Sequence, residues 1–351
     1  MLRTLPTRLP PPRQSRAPRI AKLTWPLLLI VAGLASMAAV PTPLLQRLAD
    51  VPLGGGPTRL DYASLDQRRH LLFIAHLGDS AVIVFDTEAR RVTARITGLA
   101  KVHGVLAIPE LDTVYASATG TNEIVAIDEG TLTVTARIPG GVYPDGLAYA
   151  PTAHKLYVSD ELGGTETVID VRTNTRVATI ALGGEVGNSQ YDPVSRHIFA
   201  NVQTRRQLIE IDPSTDKVSA RIDLPAAESN HGLLLVPEQR RAFIACEGNH
   251  RLLVVDLEAR KTIASFEVGE SPDVLAYDPG LQQVYVAAES GVVAMFSARS
   301  GETTRLGADL IGPNAHVVAV DPLSHSVFFP LKNVGGRPVL RIMKPGARTE
   351  P

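Results

Sequence analysis

The chain has 351 residues, of which 44% are hydrophobic, so it is long enough to bury a large core. Its 35 basic and 36 acidic residues nearly balance, which excludes the strongly basic surface expected of a nucleic-acid-binding protein. The single cysteine, Cys246, excludes an intramolecular disulfide and a Cys-x-x-Cys-His haem site, and we expect it to be a buried free thiol.

The first 40 residues have the pattern of an export signal. Residues 1–22 carry six basic side chains and no acidic one, and the largely apolar residues 23–40 follow. A membrane-spanning helix needs about 20 apolar residues, so an uncleaved anchor is an alternative. Both interpretations leave the basic end in the cytoplasm and export the rest. We therefore expect residues 1–40 to be an export signal or membrane anchor and the protein to be periplasmic or exported. It would be tethered to the inner membrane, through residues 23–40, only if the signal is not cleaved.

The part of the chain that follows is mildly acidic. Once the six basic residues of the leader are removed, 29 of the 35 basic residues remain against all 36 acidic ones. Such a domain lacks the positive surface that attracts phosphate backbones, so we expect no nucleic-acid partner.

From residue 44 onwards the sequence repeats a pattern of four short strands. The second strand of each copy contains an aromatic residue, and successive copies are 42, 42, 42, 44, 42 and 43 residues apart. These aromatic residues are Phe73, Tyr115, Tyr157, Phe199, Phe243, Tyr285 and Phe328. Four antiparallel strands in about forty residues are typical of one propeller blade. We therefore predict an all-β fold, a seven-bladed β-propeller of four-stranded antiparallel blades over residues 44–344, with a C-terminal tail over residues 345–351.

The two ends of the repeat array complement each other. The last repeat has three strands, over residues 315–320, 326–329 and 338–343, and no fourth. Residues 44–56, in contrast, have the pattern of a fourth strand without a blade in front of it. Since an open sheet edge exposes unpaired backbone groups, we predict that residues 45–53 form the outer strand of the last blade and close the ring.

The repeats resemble those of the YVTN-type propellers, the YncE-like family of exported bacterial proteins. Residues 156–160 (Leu-Tyr-Val-Ser-Asp) and 175–180 (Thr-Arg-Val-Ala-Thr-Ile) carry this resemblance, which covers nearly all of residues 44–344. It implies a seven-bladed propeller in an exported protein. Asp160 stands where the family motif has Asn, and no other blade has Asn there, so no role of that Asn is carried over.

A binding site is expected where the repeats differ, since the shared positions serve strand packing. Alignment of the first strands places seven residues around one mouth of the central channel: Thr58, His103, Asp145, Gly187, His231, Asp273 and His316. Neighbouring positions and loops of the same face add further polar residues. We predict a ligand-binding face formed by His76, Arg59, Tyr143, Asp145, Asn188, Asn230 and Glu247.

Three residues of this series are candidate metal ligands. His231, Asp273 and His316 come from consecutive repeats, and imidazole and carboxylate groups are ligands of divalent transition metals. The alternative is that the residues of this series only form the turn that leads into each inner strand. Several of them precede a glycine, as in His103-Gly104 and Asp145-Gly146, and such pairs are common in turns.

Two functions of different class remain open. The first is a monomeric exported binding module whose channel mouth takes a small ligand, a metal ion or a protein partner. The second is a metal-assisted lyase or hydrolase, as in streptogramin-lyase-like or lactonase-like propellers, with His103 as the candidate base. The sequence has no nucleophile elbow and no phosphate-binding glycine loop, which argues against those other chemistries. Of the two remaining functions we favour the binding module, which can use an open, flat face. An enclosed pocket with converging histidines and carboxylates would favour the enzyme.

Overall fold

A computed structural model of the chain describes residues 10–12, 14, 43–299 and 301–346. The contacts divide the chain into Met1–Pro41 and Thr42–Pro351, and the fold described here is that of the second unit. The predicted leader over residues 1–40, apart from residues 10–12 and 14, lies outside the described residues, as do residues 347–351 of the predicted tail. Within the described ranges, no helix is long and apolar enough to cross a membrane.

The described residues form 28 strands in seven four-stranded antiparallel sheets. The strands are β1 (Leu45–Pro52), β2 (Ala63–Asp66), β3 (Leu71–His76), β4 (Ala81–Asp86), β5 (Arg91–Thr97), β6 (Val102–Ile108), β7 (Thr113–Ala118), β8 (Glu123–Asp128), β9 (Thr133–Pro139), β10 (Pro144–Ala150), β11 (Lys155–Asp160), β12 (Thr165–Asp170), β13 (Thr175–Ala181), β14 (Val186–Asp192), β15 (His197–Val202), β16 (Gln207–Asp212), β17 (Lys217–Asp223), β18 (Asn230–Val236), β19 (Arg241–Cys246), β20 (Arg251–Asp256), β21 (Lys261–Glu267), β22 (Pro272–Asp278), β23 (Gln283–Ala288), β24 (Val292–Ser297), β25 (Thr304–Leu310), β26 (Ala319–Asp321), β27 (Ser326–Val334) and β28 (Arg337–Pro345). The helical elements of the same residues are six single turns of 3-10 helix: Leu77–Asp79, Pro109–Leu111, Thr119–Thr121, Pro151–Ala153, Gln203–Arg205 and Pro237–Gln239. The predicted seven-bladed all-β propeller is confirmed.

The burial of each strand follows its place in the blade. The second and third strands, such as β3 and β4, are buried along almost their whole length, whereas the outer strand β21 alternates between half-buried and exposed residues. Neighbouring blades cover the second and third strands on both faces, and strands buried in this way require continuous runs of apolar residues. The apolar clusters accordingly join adjacent blades, as where Phe73 of the first blade packs in one cluster with Val114 of the second. Cys246 is buried in such a cluster as a free thiol, as expected.

The aspartate that ends most third strands is a turn residue. Asp86 Oδ1 accepts a hydrogen bond from the backbone N of Ala89 at 2.7 Å, and Asp128 Oδ1 accepts one from Thr131 N at 2.7 Å. Such side chains stabilise tight turns by bonding the backbone two or three residues further on. The recurrence of this aspartate in the sequence therefore reflects the hairpin between the third and fourth strands of each blade.

The N-terminal strand closes the ring. The order of the last sheet is β1-β28-β27-β26, so β1 is its outer strand, and it pairs antiparallel with β28 from Leu45↔Pro345 to Pro52↔Val339. The backbone N of Leu53 continues this pairing by donating to Pro338 O at 3.0 Å. An ion pair between Arg341 and Asp50, at 2.6 Å, lies on the same two strands. The predicted closure by residues 45–53 is confirmed.

One ionisable side chain lies in the core between the third and fourth blades. Glu166, on β12, is fully buried, and its Oε1 accepts hydrogen bonds from Ser189 Oγ at 2.5 Å and Ser159 Oγ at 3.2 Å. Its Oε2 has no hydrogen-bond partner among the residues that the structure describes. Burial, aided by the nearby charge of Asp160, raises the pKa of Glu166 from its ordinary value of 4.5 to about 8.

The two leucines of β1 provide a test of the closure. Leu45 is 3% exposed, so Leu45→Ala should lower the free energy of unfolding by about 2–5 kcal/mol. Leu48 lies on the same strand but is 43% exposed, and Leu48→Ala should change it by less than about 0.5 kcal/mol. Urea unfolding measures both, and equal effects of the two substitutions would contradict the docking of β1.

Glu166 predicts a pH dependence of stability. Because its pKa is higher in the folded state, the unfolded chain releases the proton first as the pH rises above about 4.5. The contribution of Glu166 to the free energy of unfolding is therefore fully present below about pH 4.5. This contribution, on the order of a few kcal/mol, is lost as the pH rises through about 8.

Denaturant unfolding between pH 5 and pH 9 measures this loss. Glu166→Gln cannot ionise, so the variant should lose less stability than the wild type over this range. The matched variant Glu123→Gln changes a carboxylate that is 31% exposed and should keep the wild-type slope. Identical slopes in all three proteins would show that Glu166 is ionised throughout.

Candidate functional site

The inner strands of the blades enter the sheet in the same way. His103, Asp145, Gly187, His231 and Asp273 are each the second residue of an inner strand, and a register shift follows each of them. A bulge of this kind redirects the side chains next to it, here toward the mouth of the channel. Together with Asp61 and His316 of the first and last blades, these residues form what we call the channel-mouth ring: Asp61, His103, Asp145, Gly187, His231, Asp273 and His316.

The first blade differs from the expectation, because Asp61 and not Thr58 holds its place in the ring. The backbone N of Asp61 donates to Ala75 O at 2.8 Å on the second strand of its blade, and Asp61 lies 42 residues before His103. Thr58 instead bonds to His76 Nε2 and to Asp79 Oδ1, both at 3.0 Å. The repeat period of 42 residues is therefore the feature of the sequence that identifies Asp61.

The entrance turn does not dictate the identity of the ring residues. In five blades the residue with a left-handed backbone lies two positions before the ring residue, as at Lys101 (φ 47°) and Asn314 (φ 57°). The glycines after ring residues have a different cause, which is the close approach of the next blade. A Cβ at Gly104 would lie 2.1 Å from the backbone O of Asp145, and one at Gly232 would lie 1.9 Å from that of Asp273. The close approach of the next blade therefore explains these glycines, whereas the entrance turn contacts the ring through His103 and His316, which bond to its carbonyl groups.

Histidine and aspartate alternate along one side of the ring. Asp61 Oδ2 lies 3.7 Å from His103 Nε2, and Asp61 Oδ1 lies 3.5 Å from His316 Nε2. His316 Nε2 is also 3.9 Å from Asp273 Oδ2. Arg59 lies beside the same carboxylates, with one guanidinium nitrogen 3.5 Å from Asp61 Oδ1 and 3.7 Å from Asp273 Oδ2. Both oxygens that face His316 therefore also face Arg59.

The alternation continues on the other side through His231. His231 Nε2 lies 3.7 Å from Asp273 Oδ1 and 3.8 Å from Asp145 Oδ2. Although burial lowers it, the charges of Asp273, Glu247 and Asp145 raise the pKa of His231 to about 9. Burial raises the pKa of Asp145 well above its ordinary value. The ring is a buried set of opposite charges, with every histidine and aspartate in it at most 9% exposed.

Two imidazoles are oriented by the entrance turn. His103 Nδ1 lies 2.9 Å from Lys101 O, and His316 Nδ1 lies 3.1 Å from Asn314 O, so in both rings Nδ1 donates and Nε2 faces the carboxylates. If such an imidazole is neutral, the lone pair of its Nε2 points at carboxylate oxygens. This contact is favourable only if a proton or another cation lies between Nε2 and the carboxylate. Although burial lowers it, Asp61 and Asp273 raise the pKa of His316. Within residues 43–299 and 301–346, the buried atoms His316 Nε2, Asp61 Oδ2 and Asp273 Oδ1 have no hydrogen-bond partner.

Tyr62 spans the channel below the ring. It belongs to the first blade, yet its hydroxyl donates to Asn188 Oδ1 of the fourth blade and lies 3.2 Å from His231 Nε2 of the fifth. Burial raises the pKa of Tyr62 well above its ordinary value, so the hydroxyl keeps its proton. Tyr62 lines both a cavity of about 490 Å³ at the mouth and a second cavity of about 420 Å³ further along the channel. We identified this residue only from the structure.

The mouth cavity is acidic. Its lining contains six carboxyl groups and two fixed positive charges, so its formal charge is −4 when the histidines are neutral and every carboxyl group is ionised. The lining residues are Arg59, Asp61, Tyr62, Leu77, Lys101, His103, Tyr143, Asp145, Glu161, His231, Glu247, Ser271, Asp273 and Glu289. Such a cavity attracts cations.

The structure brings most of the predicted site residues to this cavity. Arg59, His103, Tyr143, Asp145, His231, Glu247 and Asp273 line it, and His316 contacts the lining through Asp61 and Asp273. Tyr143 OH lies 3.1 Å from His103 Nε2. Asn188 lies at the floor beside Tyr62. The functional roles of all these residues stay predictions.

Two predicted residues lie elsewhere. His76 is fully buried, 3.1 Å from Arg95 and 3.5 Å from Asp79. The amide of Asn230 donates to Asn201 Oδ1 at 3.1 Å and to a backbone carbonyl of β16. Both side chains connect strands, and neither lines the mouth cavity.

Removal of the Tyr62 hydroxyl tests its place in the site. Tyr62→Phe leaves Asn188 Oδ1 and His231 Nε2 without this partner and should lower the free energy of unfolding by about 1–3 kcal/mol. Tyr149→Phe is the matched control, because the Tyr149 hydroxyl lines the second cavity without a hydrogen bond to a described residue. Equal effects of the two substitutions, measured by denaturant unfolding, would contradict the contacts of Tyr62.

Comparison with known proteins supports the fold and leaves the family open. No protein-family model matches the chain, and no curated protein matches its sequence. Among solved structures, a chain of Kuenenia stuttgartiensis hydrazine synthase superposes with a TM-score of 0.73 over 86% of this chain and 97% of that chain, at 13% sequence identity. At so low an identity the likeness shows a shared fold and nothing about activity.

Proposed function

We propose that this protein is an exported binding module that holds a divalent transition-metal ion at the mouth of the propeller channel. Asp61, Asp273 and His316 would be its ligands. The observation that carries the proposal is the environment of His316 Nε2. This atom is buried, faces Asp61 Oδ1 at 3.5 Å and Asp273 Oδ2 at 3.9 Å, and has no hydrogen-bond partner in the part of the chain that the structure describes.

The distances between the donor atoms suit an ion. Bonds of about 2.0–2.1 Å in a tetrahedral zinc site place neighbouring ligand atoms roughly 3.4 Å apart. The contacts of His316 at 3.5 and 3.9 Å are close to that separation, and the three donor atoms lie within 4.8 Å of one another. The bond from His316 Nδ1 to Asn314 O is the outer contact that metal-bound histidines usually make, because it fixes the orientation of the ring.

Charge favours a metal ion over protons alone. The formal charge of −4 in the mouth cavity falls to −2 when both histidines of its lining, His103 and His231, are protonated. Buried charges that stay uncompensated are costly, so a divalent cation stabilises the site further. Arg59 already lies beside Asp61 and Asp273, but its side chain is 39% exposed and can move toward solvent as an ion enters.

The ligand types narrow the choice of ion. Calcium and magnesium prefer oxygen ligands, whereas a mixture of imidazole and carboxylate suits zinc, manganese, iron, cobalt or nickel. The leader over residues 1–40 supports export, so we propose that the ion is bound outside the cytoplasm.

A metal-assisted lyase or hydrolase is the second candidate function, and the surroundings of His103 favour it. His103 Nε2 contacts the hydroxyl of Tyr143 and shares Asp61 with the proposed ion, at the edge of a cavity large enough for a small substrate. A histidine beside a metal ion can act as the general base of a metal-assisted reaction.

The proposal predicts stabilisation by metal ions. Zinc, cobalt or manganese should raise the thermal unfolding temperature of the wild type, since a ligand at a hundred times its Kd adds about 2.7 kcal/mol to the folded state. His316→Ala should reduce the shift, because it removes one ligand of the proposed ion. His70→Ala removes a histidine that is 42% exposed and lies outside the ring, so it should keep the shift.

Each protein is compared with itself, with and without the ion, so a loss of basal stability in a variant does not affect the result. The absence of a shift in the wild type with all three metals, or an equal shift in His316→Ala, would refute the proposed site.

A further inference from the structure

We infer that the channel mouth binds two divalent ions, bridged by the carboxylate of Asp273, with His231 and Glu247 holding the second ion. This inference rests on the proposed function and extends it from one ion to a pair.

The second position has its own set of donor atoms. One donor atom each from His231, Glu247 and Asp273 lie within 4.8 Å of one another, as in the first set. Asp145 lies next to this set, with its Oδ2 3.8 Å from His231 Nε2. Its Oδ1 has no hydrogen-bond partner among the described residues, although the residue is only 4% exposed. The second position therefore offers three protein ligands, the number that catalytic zinc sites have.

Asp273 is placed to bridge the two positions. Its Oδ2 faces His316 Nε2 at 3.9 Å, and its Oδ1 faces His231 Nε2 at 3.7 Å. Asp273 is 3% exposed, and no described residue makes a hydrogen bond to its Oδ1. A carboxylate whose two oxygens face different imidazoles can bind one ion through each oxygen, and paired ions in proteins are about 3.5–4 Å apart.

The charge of the cavity fits two ions. Six carboxyl groups and the fixed positive charges of Arg59 and Lys101 give a formal charge of −4. One divalent ion leaves −2, and a second ion brings the sum to zero. This sum applies once cations replace the protons that burial favours on Asp145 and Asp273, and two ions then neutralise the lining.

The hydrogen bond of Tyr62 defines what the second ion replaces. The Tyr62 hydroxyl gives its hydrogen to Asn188 Oδ1, so the contact with His231 at 3.2 Å requires Nε2 to be the donor. An ion at the second position takes the place of that hydrogen on Nε2. The Tyr62 oxygen then faces the ion and not a proton.

The stoichiometry of zinc binding tests the inference. The full chain, expressed without a histidine tag and stripped of metal with a chelator, is titrated calorimetrically, and bound zinc is measured by elemental analysis after gel filtration. We expect two zinc ions per wild-type chain, one in Glu247→Gln and one in His316→Ala. Asp273→Asn should weaken both binding events. Glu123→Gln, the same substitution at a partly exposed residue outside the mouth cavity, should keep two ions.

The outcomes separate this inference from the proposed function. One ion in both the wild type and Glu247→Gln, lost in His316→Ala, would overturn the second ion and leave the first. No bound ion in the wild type would overturn both proposals. Two ions retained in Glu247→Gln and in His231→Ala would overturn the assigned second position.

Manganese(II) provides a measurement of the bridge itself. Two ions that share Asp273 should give an exchange-coupled electron paramagnetic resonance spectrum at full loading, and Glu247→Gln should give the spectrum of an isolated ion. The spectrum of isolated ions in the fully loaded wild type would contradict the bridge.

Discussion

The pairing of β1 with β28 is the constraint on which the rest of the structure depends. It gives the last blade its fourth strand and holds the first blade against the last. Only in the closed ring does Asp61, near the start of the propeller, lie 3.5 Å from His316, near its end. The candidate metal site thus depends on contacts between distant parts of the chain, and damage to the closure should weaken the site and the fold together.

The channel-mouth ring shows how a repeated backbone can carry a function. Six of the seven blades present an aspartate or a histidine at the same entrance, and Gly187 occupies this position in the remaining blade. Burial makes such groups costly unless they compensate one another, which the imidazole–carboxylate contacts do only in part. Glu166 shows the other outcome for a buried carboxyl group, because it has no cation nearby and keeps its proton instead.

The fold was predictable because the period of about 42 residues repeats seven times and the missing strand of the last repeat had one available partner. The ring was predictable at six positions and missed at the seventh. The inner strand β2 is only four residues long and follows three glycines, which shifted the alignment from Asp61 to Thr58. Tyr62 could not be predicted, because its hydroxyl crosses the channel to blades far from it in sequence. His76 and Asn230 share the face of the ring, but their side chains bond between strands, which spacing does not reveal.

The central claim is that the channel-mouth ring is a metal site, and diffraction from crystals soaked in zinc tests it most directly. At the zinc absorption edge, we expect an anomalous peak about 2.0–2.2 Å from His316 Nε2 and from oxygens of Asp61 and Asp273. Arg59 should move away from both carboxylates. The claim would be contradicted if saturating zinc left no peak in the ring, with Arg59 still beside Asp61 and His316 unchanged.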